Sequence, residues 1–404
     1  MTRNGHVQVT GVGAMTPLGA DAPTSWSGLL DGTSGVRLLQ EEWAAQLPVH
    51  VAAGLTVDPT SLLPRPEARK LDRGEQMALL SAREAWQDAG APQVEPERLA
   101  VVIGTGTGGV LTTLGQDDIF EASGIRRLSP FTVPMLMPNG PAAWVSMDLG
   151  AKGGARTPVS ACASGAEALA MGQDLIRAGR ADVVVAGGVE ACLHPFTLAA
   201  FAQMKALSTR SDDPEAVSRP FDVERSGFVM GEGAGMMVLE RPEFARARGA
   251  RVHGTLAGSA VTSSADHITA SDADGQSFAM ELALRDADVT PADIGVVHAH
   301  ATSTESGDVA EAEAIGRVIG RHAAVTATKS MTGHMLGASG TVGAMAALFA
   351  LRDGALPATR NLDTLDPRVD LDVVRGERRS GRWSAGLANS FGFGGHNVTL
   401  VFTG

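Results

Sequence analysis

The sequence contains no tyrosine, only two cysteines, and few aromatic residues, which make up 4% of its 404 positions. Two cysteines cannot build the dense disulfide framework of small secreted domains, so we expect a protein of the reducing cytoplasm. No run of about 18 apolar residues is present that could cross a bilayer. The first residues also lack the apolar core of a secretory signal. The sequence therefore predicts neither membrane insertion nor export.

Positive charge is also scarce. Lysine and arginine together number 33, against 45 aspartates and glutamates, which gives a formal net charge of −12. A phosphate backbone repels such a chain, so nucleic acid is not expected as the main partner. Glycine, by contrast, is abundant at 49 residues, and 44% of the chain is hydrophobic. This composition is typical of a folded protein with a large core rather than a disordered one.

Short β-branched runs alternate with helical stretches, a pattern typical of an α/β protein with buried sheets. Helices are predicted at 76–89, where Leu79, Ala82 and Trp86 share one face, and at 163–178, which Gly179 ends. Strands are predicted at 7–12, 99–103, 181–186, 235–239, 296–299, 384–387 and 398–402.

The two halves of the chain look like copies of each other. LAVVIGTGTGG and IGVVHAHATST each lead from a strand into a small-residue loop, and VSACASGAEALA and SMTGHMLGASG each lead through a turn into a helix. FVMGEGAGMMVLE and SFGFGGHNVTLVF then follow in the same order. We interpret this as a duplication with halves at 1–250 and 251–404, joined near 246–251. Convergent α/β patterning is the alternative.

Cys162 follows a strand-like segment and directly precedes a predicted helix. A thiol at the start of a helix faces the positive end of the dipole and free N–H groups, and both stabilise the nucleophilic thiolate. Small neighbouring residues permit a sharp turn there. A buried structural cysteine is the alternative, and we assign that role to Cys192, which has no base or helix start beside it.

His300 and His334 lie in strand-to-helix turns at matching places in the two halves. Taken singly, each would be interpreted as structural. Such turns converge on one end of a sheet, however, so both histidines are predicted to share one site with Cys162. His298 lies deeper in its strand and is predicted to be structural. Zinc sites usually show close ligand pairs, which these residues lack, so no metal is expected.

Two glycine-rich loops complete the candidate set. The first, 104–109, matches G-x-G-x-x-G, but we find neither the following helix nor the acidic residue that a dinucleotide site needs. We expect it to line a pocket instead. The second, 389–397, is predicted to be a turn whose N–H groups can bind an anion. A plain β-turn is the alternative. The two phenylalanines of this loop favour a role in packing or in gating the site.

The segments VSACASG, KSMTGHMLGASG and NSFGFGGHN, in this order, resemble the condensing enzymes of the thiolase-like superfamily. The match is closest to the type II β-ketoacyl-[acyl-carrier-protein] synthases of actinobacterial type, and it covers nearly the whole chain. The resemblance implies an α/β fold in which duplicated βαβαβαββ halves form a five-layered αβαβα sandwich.

The resemblance also implies a reaction. This is the decarboxylative condensation of malonyl-acyl-carrier-protein with an acyl chain on the cysteine, in fatty acid elongation and without a cofactor. The catalytic ketosynthase subunit of a type II polyketide synthase is the alternative. A non-catalytic partner subunit would lack Cys162. A thiolase or a coenzyme A-primed synthase would show a second cysteine near the C-terminus, or an asparagine in place of the second histidine.

Individual roles follow from the same resemblance. Cys162 matches the acylated nucleophile, and His300 and His334 match the catalytic histidine pair. Lys329 matches the active-site lysine, and Glu311 the acid that accompanies it. Two further sets are implied. The gating phenylalanine, whose N–H also completes the oxyanion hole, is Phe393. The residues expected to bind substrate are Thr302, Thr304, Thr107, Phe201, Phe391, His267 and Thr269.

The family pattern implies an acyl carrier protein and a second copy of the chain as partners, with a chain-length subunit added if the pathway makes polyketides. Phe131 and the segment 128–139 are expected at the dimer interface. Because carrier proteins are acidic, a local basic patch is also expected. Its candidates are Arg65, Arg69, Lys70, Arg73, Arg126, Arg127 and Lys205.

Overall fold

The computed structural model describes residues 6–404. The strands are β1 (Val7–Met15), β2 (Arg37–Leu38), β3 (Val51–Ala52), β4 (Leu99–Gly104), β5 (Ala155–Arg156), β6 (Val183–Glu190), β7 (Gly233–Glu240), β8 (Gly254–Ser263), β9 (Ile294–His298), β10 (Ala324–Thr326), β11 (Ala355–Leu356), β12 (Asp372–Val373), β13 (Arg379–Ser380), β14 (Ala385–Gly392) and β15 (His396–Thr403).

The α-helices are α1 (Ala22–Leu30), α2 (Arg65–Ala68), α3 (Arg73–Asp88), α4 (Val110–Ser123), α5 (Thr132–Leu136), α6 (Gly140–Leu149), α7 (Ser164–Arg177), α8 (Pro195–Gln203), α9 (Pro242–Ala247), α10 (Ala273–Ala287), α11 (Glu305–Val318), α12 (Lys329–Thr332) and α13 (Ser339–Asp353). Within residues 6–404, none of these helices combines the length and the apolar character that crossing a membrane requires.

The large sheet consists of two units with the same strand order. Eleven strands run in the order β12-β10-β9-β14-β15-β8-β1-β7-β6-β4-β5. A short antiparallel pairing of residues 7–9 with 254–256, between β1 and β8, joins the units. On one side β5, β4 and β6 are parallel while β7 and β1 run antiparallel, and β10, β9, β14, β15 and β8 repeat this arrangement. This repeat agrees with the predicted duplication, and the boundary at residue 250 stays a prediction.

Five layers follow from the helix contacts. The helices α7 and α13 pack against each other and against strands of both units, so they form the middle layer. The helix α3 covers the outer face of one unit, with α6 beside it, and α10 covers the other, with α11 beside it. All residues of α13 from 339 to 350 are buried, as expected for a helix enclosed on every side. The predicted αβαβα sandwich is confirmed.

The two central helices begin without side-chain caps. The outer helix α3 begins with a capping box in which Asp72 and Glu75 bond each other's backbone N–H groups. Neither α7 nor α13 has a side-chain cap. Each follows a short 3₁₀ turn instead, and the first N–H groups of the two helices, those of Ser164 and Ser339, donate to the carbonyls of Ala161 and Leu336 in these turns. Both starts face the end of the sandwich where the candidate residues lie.

Three local predictions differ from the structure. A helix, α4, does follow the loop 104–109; the sequence did not reveal it because Thr112 is its only buried residue. The turn predicted at 389–397 is shorter, since β14 extends to Gly392 and β15 begins at His396. The strand β8 was missed because its sequence, GTLAGSAVTS, is made largely of small residues.

Candidate active site

A cavity of about 90 Å³ lies at the starts of the central helices. Cys162 lines it together with His300 and His334, so the two units contribute to one site as predicted. Phe391, next to the end of β14, and Phe393, in the turn between β14 and β15, also line it. This is the arrangement in which a nucleophile and two imidazoles can act on one substrate.

The turn that carries Cys162 is tightly constrained. Ala161 has φ of 51°, a left-handed conformation that is unfavourable for a residue with a Cβ. The Ser390 hydroxyl donates to the Cys162 carbonyl at 3.0 Å. A side chain at Gly392 would place its Cβ 2.5 Å from the Ser160 carbonyl oxygen, so only glycine permits β14 to approach this turn so closely.

Burial dominates the acidity of the Cys162 thiol. It raises the pKa of Cys162 to about 12, while the Lys329 charge and the backbone N–H groups of Cys162 and Phe393 act in the opposite direction. The N–H groups at the helix start favour the thiolate, as the sequence predicted, but desolvation of the sulfur, which the sequence did not show, outweighs them in the free chain. The two N–H groups nevertheless converge on the sulfur, where an oxyanion hole requires them.

The ring of His334 is held in one tautomer. Its Nδ1 lies 3.0 Å from the Ser339 hydroxyl, which already accepts the Met335 N–H at 2.9 Å. Among residues 6–404 the hydroxyl proton has no other hydrogen-bond acceptor, so we assign that proton to the bond with Nδ1 and the ring proton to Nε2. That Nε2 is buried and has no hydrogen-bond partner among residues 6–404. It is a donor available to whatever enters the cavity.

His300 follows β9, and its backbone is fixed by two charged residues. Its N–H donates to Glu311 at 2.7 Å, the Ala301 N–H donates to the same carboxylate at 2.6 Å, and the Lys329 ammonium donates to the His300 carbonyl. The His300 and His334 rings lie 5.4 Å apart, nearly perpendicular to each other. Burial, with the Lys329 charge, lowers the pKa of both imidazoles, so both are neutral.

Lys329 and Glu311 form the layer behind the histidines. Burial lowers the pKa of Lys329 to about 8, while the Glu311 carboxylate acts in the opposite direction. Burial raises the pKa of Glu311, and the N–H groups of Ala301 and His300 act to lower it. Asn389 donates to the same carboxylate at 3.1 Å. These contacts allow Lys329 and Glu311 to orient His300. Glu311 lines the cavity, whereas Lys329 does not.

The predicted substrate-binding residues divide into two groups. Thr302 and Thr304, whose hydroxyls lie 3.0 Å apart, line the cavity. Phe201, Phe391 and Thr269 line it as well.

His267 and Thr107 lie outside this cavity. The exposed His267 ring bonds the Thr269 backbone and hydroxyl instead. The Thr107 hydroxyl donates to Glu190 at 2.6 Å. Glu190, like Ser339, was missed by the sequence reasoning. An acid at the end of the apolar strand segment VVVAGGVE was the signal that could have revealed it.

The loop 104–109 does not offer a dinucleotide site in this structure. The Gly106 and Thr107 N–H groups, which would bind a pyrophosphate, both donate to Glu190. A buried carboxylate therefore occupies the anion position of the loop. Among residues 6–404, no group of three or more histidine, cysteine and carboxylate side chains is arranged to hold a metal.

The basic patch for a carrier protein stays a prediction. Of its candidates, Arg73 pairs within the chain, with Glu232 at 2.7 Å and with Asp58 at 3.1 Å. Lys205 borders a second hollow that adjoins the cavity at Phe393. The residues whose side chains are exposed to solvent are Arg65, Arg69, Lys70, Arg126, Arg127 and Lys205.

Comparisons with known proteins agree with this geometry. Residues 4–245 match the family "Beta-ketoacyl synthase, N-terminal domain", and residues 253–363 match "Beta-ketoacyl synthase, C-terminal domain". The 3-oxoacyl-[acyl-carrier-protein] synthase 2 of Mycobacterium tuberculosis is 43% identical over 98% of this chain and 97% of its own. The enzyme of the same name from Staphylococcus aureus is 40% identical over 100% of this chain and 99% of its own.

Solved structures show the same similarity. A β-ketoacyl synthase from Burkholderia phymatum superimposes with a TM-score of 0.91 at 34% identity, covering 98% of this chain and 99% of the other. A chain from a type II polyketide synthase complex, in which an acyl-carrier protein is bound to its ketosynthase, gives a TM-score of 0.90 at 29% identity, with 98% of each chain covered.

Proposed function

Because the chain belongs to the β-ketoacyl synthase family of acyltransferases, we propose that it condenses malonyl-acyl-carrier-protein with an acyl chain held on Cys162. The product is a 3-oxoacyl-acyl-carrier-protein, and the pathway is fatty acid elongation in the cytoplasm. One observation carries the proposal: Cys162, His300 and His334, from two units of the fold, line a single cavity.

In the first half-reaction the Cys162 sulfur attacks the thioester of an acyl-carrier protein. The oxyanion of the tetrahedral intermediate accepts hydrogen bonds from the N–H groups of Cys162 and Phe393. The carbon–sulfur bond to the carrier then breaks. Since burial raises the pKa of the thiol to about 12, the sulfur loses its proton only as attack occurs, and that proton leaves on the carrier's thiol.

In the second half-reaction malonyl-carrier protein takes the emptied place. Its thioester oxygen accepts a hydrogen bond from His334 Nε2, with His300 as the second donor. Loss of carbon dioxide moves an electron pair into the enolate that these donors stabilise. The enolate carbon attacks the acyl-Cys162 carbonyl, the carbon–sulfur bond breaks, and the sulfur recovers a proton. Neutral imidazoles suit this step, because each retains the ring proton that it donates.

No metal, nucleotide or other cofactor takes part in these steps. Lys329 and Glu311 act by orienting His300. The phosphopantetheine arm of the carrier is assigned to Thr302 and Thr304, and the acyl chain to the apolar wall that includes Phe201. Thr107 is assigned a supporting role beyond the cavity wall.

Two protein partners are proposed. The acidic acyl carrier protein would dock at the cavity mouth on the exposed lysines and arginines, of which Lys205 borders the hollow that adjoins the cavity at Phe393. A second copy of the chain would cover the apolar surface near Phe131. That surface exposes Ile119, Phe120, Ile125, Val133 and Met137, and contiguous apolar patches of this kind mark interfaces.

A polyketide ketosynthase subunit is the second candidate, favoured by the superposition on the polyketide synthase chain. The higher identity to the elongating synthases supports the first. Incubation of the chain alone with saturated acyl-carrier proteins and malonyl-carrier protein tests the choice by mass spectrometry. We expect one added two-carbon unit as the 3-oxoacyl product. Condensation that requires an added partner subunit would support the polyketide role, and no product under either condition would refute both.

A further inference from the structure

Glu190 is a buried carboxylate that the condensation steps above do not use. It ends β6, is 1% exposed, and accepts five hydrogen bonds. Gly106 N–H and Gly337 N–H donate at 2.8 and 3.1 Å; Thr107 donates from its N–H at 3.2 Å and its hydroxyl at 2.6 Å; the Thr105 hydroxyl donates at 3.1 Å. All five contacts donate to the carboxylate and so favour its ionised form, while burial acts in the opposite direction and raises the pKa of Glu190.

The helices α7 and α13 begin in the same way. Each is preceded by a three-residue 3₁₀ turn, Ala161–Ala163 before α7 and Leu336–Ala338 before α13. Ala161 and Leu336, the first residues of the turns, both have positive φ, 51° and 39°. Cys162 and Gly337 are the middle residues. In the duplicated fold, Gly337 therefore occupies the position equivalent to that of Cys162.

The same relation matches Glu190, the last residue of β6, with Gly392, the last residue of β14. Gly392 approaches the nucleophile turn so closely that a Cβ there would lie 3.3 Å from the Cys162 nitrogen. Glu190 approaches the other turn and accepts the Gly337 N–H. At the start of α7, N–H groups point at the sulfur of Cys162. At the start of α13, the carboxylate of Glu190 occupies the equivalent position.

We propose that Glu190 is a positioning residue for the condensation, and this inference rests on the proposed function. Its carboxylate holds the Gly337 turn against the loop 105–107 and so sets where His334 and Leu336 stand relative to Cys162. Both of those neighbours line the cavity, and Gly337 follows His334 by three positions. A displaced Gly337 would therefore displace the donor that holds the malonyl thioester.

The packing around Gly337 shows why a small displacement would be transmitted. Its carbonyl oxygen lies so close to Gly165 and Gly188 that a Cβ on either would come within 2.5 and 2.2 Å of it. A Cβ on Gly337 itself would meet the Gly106 nitrogen at 2.9 Å. Four backbone segments meet here without side chains between them, and the carboxylate of Glu190, which ends β6, bonds two of the others, the loop 105–107 and the Gly337 turn.

The Glu190 charge also acts on the nucleophile, since it adds to burial in raising the pKa of Cys162. A carboxylate at this place therefore hinders the first half-reaction while it orders the second. The effect of Glu190 on the thiol can therefore be measured without carrier protein or condensation, as the pH dependence of Cys162 alkylation.

Glu190→Gln, Glu190→Ala and the control Glu84→Gln test the proposal. Glu84 also accepts two backbone N–H groups, from Ala14 and Ala22 at 2.8 Å each, but does not line the active-site cavity. For Glu190→Gln we expect kcat for condensation to fall roughly ten- to hundredfold with little change in KM. We expect Glu84→Gln to keep wild-type activity at comparable Tm. Sodium formate should restore part of the Glu190→Ala activity and leave the wild type unchanged.

Activity of Glu190→Gln within about twofold of the wild type, the ordinary effect of a neutral change, would overturn the proposal. So would a failure of formate to restore any activity to Glu190→Ala. If the wild type makes no 3-oxoacyl product, the proposed function fails instead, and alkylation by iodoacetamide still decides about Glu190. Its pH profile should move to lower pH in Glu190→Gln and not in Glu84→Gln; coincident profiles of wild type and Glu190→Gln would contradict the inference.

Discussion

Ser339 holds the proton of His334 where the reaction needs it, on Nε2. In Ser339→Ala the Nδ1 atom loses its donor and the Met335 N–H loses its acceptor. We expect carbon dioxide release from malonyl-carrier protein to slow about tenfold, equivalent to about 1.4 kcal/mol. Ser146→Ala, which removes only a bond to the Ala151 carbonyl, is the control. Equal rates in Ser339→Ala and wild type would show that the serine does not set the tautomer.

His298 makes stability depend on pH. Burial lowers its pKa from 6.5 to about 3, so below pH 6.5 the unfolded chain gains a proton that the folded chain does not. Stability attributable to this ring is therefore unaffected above pH 6.5 and is lost as the pH falls. Between pH 6.5 and 4.5 the loss amounts to about 2 to 3 kcal/mol.

Denaturant unfolding at several pH values measures this loss. In His298→Asn the free energy of unfolding should decline less steeply with acid by that amount, while His322→Asn, on an exposed turn, should follow the wild type. Parallel curves for His298→Asn and wild type would contradict the assignment of a buried neutral ring.

Individual site residues were predictable where chemistry and local pattern coincide. Cys162 and His300 each stand between a strand and a helix, as the sequence pattern predicts, whereas His334 lies between the short helix α12 and the turn before α13. The Glu190–Gly337 bond was not predictable, because 147 positions separate its partners and only the fold brings them together. The raised pKa of the thiol was also not predictable, because the sequence displays the helix start but not the burial that outweighs it.

At the scale of elements, the close approach of β14 to the start of α7 assembles the oxyanion hole. Gly392→Ala would drive a Cβ to 2.5 Å from the Ser160 carbonyl oxygen. We expect a destabilisation of about 1 to 3 kcal/mol and a loss of Cys162 acylation that exceeds it, since the Phe393 N–H moves with the strand. Gly386→Ala, whose Cβ would meet only Leu351 side-chain atoms at 3.5 Å, is the control on the same strand.

Thermal unfolding and the rate of acyl loading together check this expectation. Normal loading in a destabilised Gly392→Ala would mean that the strand contributes to stability but not to the hole. Equal loss in both glycine variants would show that the approach of β14 is not specific.

Elements were predictable in proportion to how continuously apolar they are. Every residue of β4 and β6 is buried; β4 is an unbroken apolar run, and β6 is apolar up to its last residue, Glu190. The strand β8 alternates small residues with threonine and serine, and α4 lies on the surface with Ile119 and Phe120 exposed. Neither carries the periodicity from which an element is recognised.

At the scale of the whole molecule, the apolar surface near Phe131 predicts a dimer. Val133 is 61% exposed there. We expect the wild type to elute with twice the mass of one chain in size-exclusion chromatography with light scattering, and Val133→Asp to shift toward one. Val223→Asp, at a position 46% exposed elsewhere, should leave the mass unchanged. A monomeric wild type at micromolar concentration would contradict the dimer.

The duplication was readable from the order of the motifs, and the repeated strand order of the sheet agrees with it. What the sequence could not give is the direct pairing of β1 with β8, which joins the units through residues 7–9 and 254–256. That pairing and the contact between α7 and α13 bring the nucleophile of one unit to the imidazoles of the other.

Acyl loading onto the sulfur of Cys162 tests the account most directly. The chain is incubated with an acyl-carrier protein, and intact-mass and peptide mass spectrometry locate the added mass. We expect one acyl group per chain on the peptide that contains residue 162, none in Cys162→Ala, and normal loading in Cys192→Ala. An unmodified wild-type chain, or an acyl group that persists in Cys162→Ala, would contradict the account.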